Sequence, residues 1–245
     1  MIPYKDDNPQ FLTPVVTLGL IVANLAAWLL AQGAGEPAAL ARSVCELGLI
    51  PGEVLHRVPA GEVVDFGSQI TCVLGTTSRW YTPLTSMFMH GGWGHLLGNL
   101  WFLWVFGNNV EDAMGHTRFL FFYLLCGLLA AGTQMAVEPG SVVPMVGASG
   151  AISGVMGGYI LLYPTVRVHM FTLIVFYPFR FTVPAVFMIG YWFLLQVFGI
   201  FLADVEAGGV AFWAHVGGFV SGMLLVILFR DPELVARHRR LAAWA

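Results

Sequence analysis

Charge is scarce in this 245-residue chain: 10% of its residues are charged, against roughly 25% in an ordinary soluble domain. The shortage is uneven. No Asp, Glu, Lys or Arg occurs in 8–35, 80–110, 119–137, 139–166, 181–203 or 207–229, and each stretch is at least 19 residues long. With 58% hydrophobic residues, a chain so patterned cannot hide its apolar surface from water. A helix needs about 20 apolar residues to cross a hydrocarbon core of about 30 Å, so each stretch can hold one spanning helix. The sequence predicts an all-α membrane protein with six spans, near 11–32, 90–110, 118–137, 149–164, 182–202 and 210–229. The membrane domain then covers 11–230, between a short N-terminus (1–10) and a short basic tail (231–245).

Cysteine is also sparse, at 3 residues, too few for a disulfide scaffold. Cys45 and Cys72 both fall in the long first connection, about 33–80, where an oxidising compartment permits a bond between them; Cys126 lies in the third span. No internal repeat and no matched pair of broken helices is visible, which counts against a transporter. Nucleic-acid binding has no support beyond the basic cluster Arg237 to Arg240, read as a topology signal beside the last span. The first charge-free stretch is longer than the core of a cleaved signal peptide, so it is read as an anchor. The apolar stretch 168–179 is too short to span, is cut by Pro178 and Arg180, and is read as interfacial.

Six spans put both termini on one side. That side carries Lys5, Arg118, Arg167, Arg180, Arg230, Arg237, Arg239 and Arg240, and the other only Arg42, Arg57 and Arg79. The positive-inside rule therefore places both termini in the cytoplasm. The short tails suit a multi-pass protein of a bacterial cytoplasmic (inner) membrane.

Small residues recur every fourth position on two predicted spans: Gly150, Gly154 and Gly158, then Ala214, Gly218 and Gly222. Such ridges let helix backbones approach closely. Ser149 directly precedes the first ridge and His215 directly follows the first small residue of the second. If the ridges pack, the two side chains meet near the outer ends of two helices running the same way. A hydroxyl becomes a useful nucleophile when a base takes its proton, and imidazole is suited to that task near neutral pH. The outer halves of the spans carry no acid, so a two-member Ser/His site is expected in place of a triad. His95 and Asn99 are four apart on one helix face and reach the same layer, where they can donate to an oxyanion together with the Ser149 N–H. Each polar residue alone has a duller reading: a span serine bonds its own backbone, and a span histidine or asparagine joins helices. Four converging on one layer favour function.

Three motifs resemble the rhomboid family of intramembrane serine proteases: His90-Gly-Gly-Trp-Gly-His95-Leu-Leu-Gly-Asn99, Gly147-Ala-Ser149-Gly150, and Ala214-His215-Val-Gly-Gly218 continuing to Gly222. The resemblance runs from about Thr85 onward. It implies Ser149 as nucleophile, His215 as general base and acid, and His95 and Asn99 as oxyanion donors. Gly107-Asn-Asn-Val-Glu111-Asp-Ala-Met-Gly115 looks like the family's glutamate block, with a structural role expected for Glu111. Two positions depart from the pattern. Ser153 stands where many rhomboids carry an aromatic that supports the histidine, and the nearest match to the family's Trp-Arg pair is the reversed Arg79-Trp80.

The expected activity is a serine endopeptidase that cleaves transmembrane segments of other membrane proteins, with the bilayer as its setting and no metal or cofactor. His90 is expected to be structural, and His56, His116, His169 and His238 peripheral. Two rivals stay open. One is an inactive rhomboid-like protein that binds membrane clients; the other is a small transporter or metal-binding channel using His90, His95 and His215.

Overall fold

The computed structural model describes residues 1–66, 71–75, 79–174, 176–202 and 210–242. Parts of the expected first loop (67–70 and 76–78), the connection 203–209 and the tail end 243–245 lie outside the described residues. The chain is mostly helical. It opens with strand β1 (Ile2–Asp6) and helix α1 (Val15–Leu30). The long connection carries α2 (Pro37–Leu47), a single turn α3 (Pro51–Val54), the hairpin β2 (Glu62–Asp65) and β3 (Thr71–Leu74), and the short α4 (Thr82–Thr85). The core helices follow: α5 (Trp93–Met114), α6 (His116–Val137) and α7 (Ser149–Leu162). After strands β4 (Arg167–Ile174) and β5 (Tyr177–Pro184) come α8 (Ala185–Leu202), α9 (Phe212–Phe229) and α10 (Pro232–Ala242).

Helices occupy all six stretches that the missing charges mark. Three of them, α6, α8 and α9, are long and apolar enough to cross a membrane; α1 and α7 are apolar but shorter. Exposed Phe187, Phe198 and Phe201 line α8, an arrangement suited to lipid and costly in water. The protein is a multi-pass membrane protein. At 14 residues α7 is about 21 Å long, less than a hydrocarbon core, and every residue from Ala151 to Tyr159 is buried.

The all-α expectation is corrected by two small sheets. β4 and β5 form an antiparallel hairpin across the stretch read as interfacial, and β1 adds to β4, giving the order β1-β4-β5. Alternation explains the strand. Val168 and Met170 are buried while Arg167 is exposed and His169 only half-buried, a period of two that a helix does not give. The tail expected after the last span folds as α10, with the Asp231 N–H donating to the Ala113 carbonyl at 2.8 Å and Arg118 pairing with Asp231 at 3.2 Å.

Glu111 holds the start of α1. Its carboxylate is fully buried and accepts from the Val16 N–H (2.9 Å), the Thr17 N–H (2.8 Å) and the Thr17 hydroxyl (2.7 Å), with His116 at 2.6 Å. These donors have no partner within their own helix, so a carboxylate beside the positive helix end satisfies both need and dipole. Neighbouring Asp112 accepts from the Phe11 and Leu12 N–H groups, both at 2.9 Å.

Cys45 and Cys72 are joined by a disulfide that ties α2 to the β2-β3 hairpin; Cys126 is a buried free thiol. Arg79 anchors the same region through Glu53 at 2.8 Å and the Cys45 carbonyl at 2.9 Å, while Trp80 projects outward.

Candidate active site

The two glycine ridges pack as their spacing predicts. A Cβ on Gly218 would strike the Gly150 carbonyl, and one on Gly222 the Gly154 carbonyl, so α7 and α9 touch backbone to backbone. Only glycine permits that approach, and its consequence lies at the helix ends. Ser149 begins α7 and His215 is in the first turn of α9, and Ser149 Oγ stands 2.7 Å from His215 Nε2. That is a hydrogen-bond length between a hydroxyl donor and an imidazole acceptor.

His95 approaches the same point from α5. Its Nδ1 accepts the Gly91 N–H at 3.3 Å, which leaves Nε2 as the protonated, donating nitrogen. Nε2 lies over Gly147: a Cβ there would stand 2.7 Å from it and 3.5 Å from Ser149 Oγ. Gly147 also has φ of +124°, a conformation that side chains disfavour. A glycine before the serine thus brings the His95 donor beside the nucleophile. The Asn99 amide donates to the His95 carbonyl at 2.9 Å, and its second N–H is not committed there. As the first residue of α7, Ser149 has an N–H with no acceptor in its own helix. His95, Asn99 and Ser149 thus bring three donors to the lining of one cavity.

A cavity of about 760 Å³ opens over these groups, lined by Ser149, His215, His95 and Asn99 and by the 143–147 loop. Glu138 and Gln134 lie in its wall, joined at 2.9 Å, and Gln134 accepts the Ala214 N–H at 3.2 Å. Its size suits an extended peptide segment of a few residues with water.

Ser153, at the position where many rhomboids carry an aromatic, turns its hydroxyl back onto the Ser149 carbonyl at 2.6 Å and does not support His215. His215 Nδ1 instead meets Gln196 Oε1 on α8 at 2.8 Å. The sequence reading missed Gln196, although an amide within an otherwise apolar span is a signal in itself. It also missed Gln32, whose amide holds the His90 backbone through two bonds of 2.8 Å, to the N–H and to the carbonyl. His90 is buried with its ring 5.2 Å from that of His95. Among the described residues no group of three or more His, Cys, Asp or Glu is placed to hold one metal ion, His90, His95 and His215 included. His238 lies away from Ser149, at the other end of the bundle, buried against Tyr163 and Phe11. His169 pairs with Asp7 at that same end, at 2.6 Å.

The chain is similar to known proteins. Residues 77–232 match the profile described as the Rhomboid domain. The chain is 39% identical over 83 residues to Rhomboid-like protein 11, chloroplastic, of Arabidopsis thaliana, covering 34% of this chain and 29% of that protein. It is 34% identical over 111 residues to YdcA of Bacillus subtilis, named as a candidate rhomboid protease, covering 44% and 55% of the two chains. With Rhomboid protein 1, mitochondrial, of Saccharomyces cerevisiae, identity is 30% over 171 residues, covering 64% of this chain and 44% of the relative. The matched segments thus span between 29% and 55% of these relatives' own lengths. A domain match over more than half its length, together with the three motifs, makes this chain a member of the rhomboid family.

Proposed function

We propose that the protein is an intramembrane serine endopeptidase that cleaves transmembrane segments of other membrane proteins. The observation that carries the reading is the 2.7 Å contact between Ser149 Oγ and His215 Nε2 inside a cavity ringed by N–H donors. Ser149 Oγ attacks the scissile carbonyl carbon as His215 Nε2 takes its proton. The carbonyl oxygen, now an anion, accepts from His95 Nε2–H, the free Asn99 N–H and the Ser149 backbone N–H. One such donor is worth about 2.7–4 kcal/mol of barrier. His215 returns the proton to the departing amine, and water activated by the same imidazole then releases the acyl group from Ser149.

The proposed setting is a six-span bundle over 11–230, with 1–10 and 231–245 as short cytoplasmic ends and Ser149 below the opposite face. Three features support it: helices on all six charge-free stretches, the asymmetry of Lys and Arg, and a disulfide on the Ser149 side, as suits the outer face of a bacterial cytoplasmic membrane. The short α7 sets its first residue beneath the surface, where a cavity can admit water while the backbone remains satisfied. A peptide bond locked in a helix resists attack, so substrates are segments whose helix unwinds readily near the outer end.

The test uses a fluorophosphonate, which reacts with serines activated by a base. Purified protein in detergent gains one adduct, located at Ser149 by peptide mass, and the Ser149→Ala and His215→Ala variants gain none. Equal labelling of His215→Ala would remove the base from the account. Absence of labelling in the wild type favours the client-binding reading instead.

A further inference from the structure

An imidazole that serves as a base must present an unprotonated nitrogen to the hydroxyl. His215 can carry its neutral-state proton on either nitrogen, and only the Nδ1–H form leaves Nε2 free to accept from Ser149. In triad enzymes a buried acid on Nδ1 makes that selection. Here the group within hydrogen-bond distance of Nδ1 is the Gln196 side chain, 2.8 Å away.

The orientation of the amide decides what it can do. Gln196 Nε2 donates to the Trp192 carbonyl one turn earlier on α8, at 3.2 Å, which turns Oε1 toward His215. An oxygen accepts only, so the nitrogen facing it must carry the proton. Gln196 is 8% exposed, so water does not readily replace it. The Trp192 ring lies 5.9 Å from the His215 ring at 35°, a tilted contact that limits rotation of the imidazole. Both constraints come from α8, a helix separate from those that carry the nucleophile and the base.

We infer that Gln196 is a positioning residue for the proposed peptidase reaction: its amide oxygen fixes the His215 tautomer and takes the place of the acid in a triad. The inference rests on the Ser149/His215 reading and extends it. When Nε2 accepts the serine proton, Nδ1–H becomes part of an imidazolium, and its bond to Oε1 strengthens in the state that matters for rate. The amide adds no negative charge to the bilayer interior, where a carboxylate is costly. The arrangement also makes activation of Ser149 depend on where α8 sits.

The test compares wild type with Gln196→Met, Gln196→Glu and Gln196→Asn, reading fluorophosphonate labelling rate, kcat and KM on a single-span substrate, and the melting curve. Methionine keeps length and burial but has no strong acceptor. It is expected to lower labelling and kcat about 10- to 100-fold, with KM within about 2-fold. Glutamate restores an oxygen at the same reach and recovers labelling above the methionine level. Asparagine, one methylene shorter, loses labelling at an unchanged melting temperature and serves where the methionine variant does not fold. Wild-type labelling in the methionine or asparagine variant overturns the inference, as does a loss confined to KM or a glutamate variant as slow as methionine. If wild type itself does not label, the Ser149/His215 reading fails first; if wild type labels and the variants match it, only the role of Gln196 falls.

Discussion

Gly222→Ala places a methyl group where the α7 backbone already stands. The added Cβ would lie 2.6 Å from the Gly154 α-carbon and closer still to its carbonyl oxygen, against an ordinary contact that begins near 3.4 Å. Backbone cannot rotate away as a side chain can, and the Gly154 carbonyl oxygen is the tightest contact at 1.9 Å, so α7 and α9 must part by about 1.5 Å along that direction. Overpacking of this kind costs about 1–3 kcal/mol. The functional effect is larger, because the same two helices carry Ser149 and His215 at their outer ends, and a displacement of about 1 Å between reacting groups can lower a rate about 100-fold. Gly190→Ala on α8 is the control: nothing lies near its Cβ, and alanine favours the helix. Melting curves and fluorophosphonate labelling are measured on both variants in one detergent. The expected result is a lower melting temperature and about 100-fold slower labelling for Gly222→Ala, with Gly190→Ala close to wild type. If Gly222→Ala labels and melts like Gly190→Ala, backbone contact between α7 and α9 does not set the Ser149–His215 distance.

Glu111→Ala leaves the Val16 and Thr17 donors without their acceptor and should lower stability by about 2–4 kcal/mol, read as a fall in melting temperature, while labelling per folded molecule stays near wild type. A rate loss without a stability loss would contradict a structural role. Asp6, at the sheet end, is pushed up to about 6 from 3.8 by burial, partly offset by the Tyr159 hydroxyl at 2.6 Å. A raised carboxylate favours the protonated form, so its contribution to stability is fully present below about pH 4 and is lost as pH rises through about 6. Replacing Asp6 with Asn should remove that slope, amounting to about 3 kcal/mol at most, from melting temperatures measured between pH 4 and 7. An unchanged slope would show that another group titrates there.

The membrane class was legible because missing charge is a one-dimensional property: a stretch without Asp, Glu, Lys or Arg looks the same before and after folding. The Ser149–His215 contact was legible for a related reason, since each residue sits beside a small-residue ridge and ridges pack in register. What lay outside the sequence reading depends on a third direction. Gln196 reaches His215 from α8, and no spacing within one segment reports which face of a third helix turns inward. The β4-β5 hairpin was missed because a short apolar run was judged by its length and its Pro178 and Arg180 break, although the alternation of Val168 and Met170 carried the strand period. Ser153 marked a real departure: the missing aromatic is answered by an amide from another helix, not by a neighbour in the same motif.

Cleavage of a single-span substrate reconstituted with the protein in liposomes tests the central claim most directly, with wild type, Ser149→Ala and His215→Ala compared in the presence of a chelator and product masses locating the cut. The account predicts that wild type cuts within or beside the outer part of the membrane segment and that both variants are inert. Cleavage by either variant at the wild-type rate would contradict it.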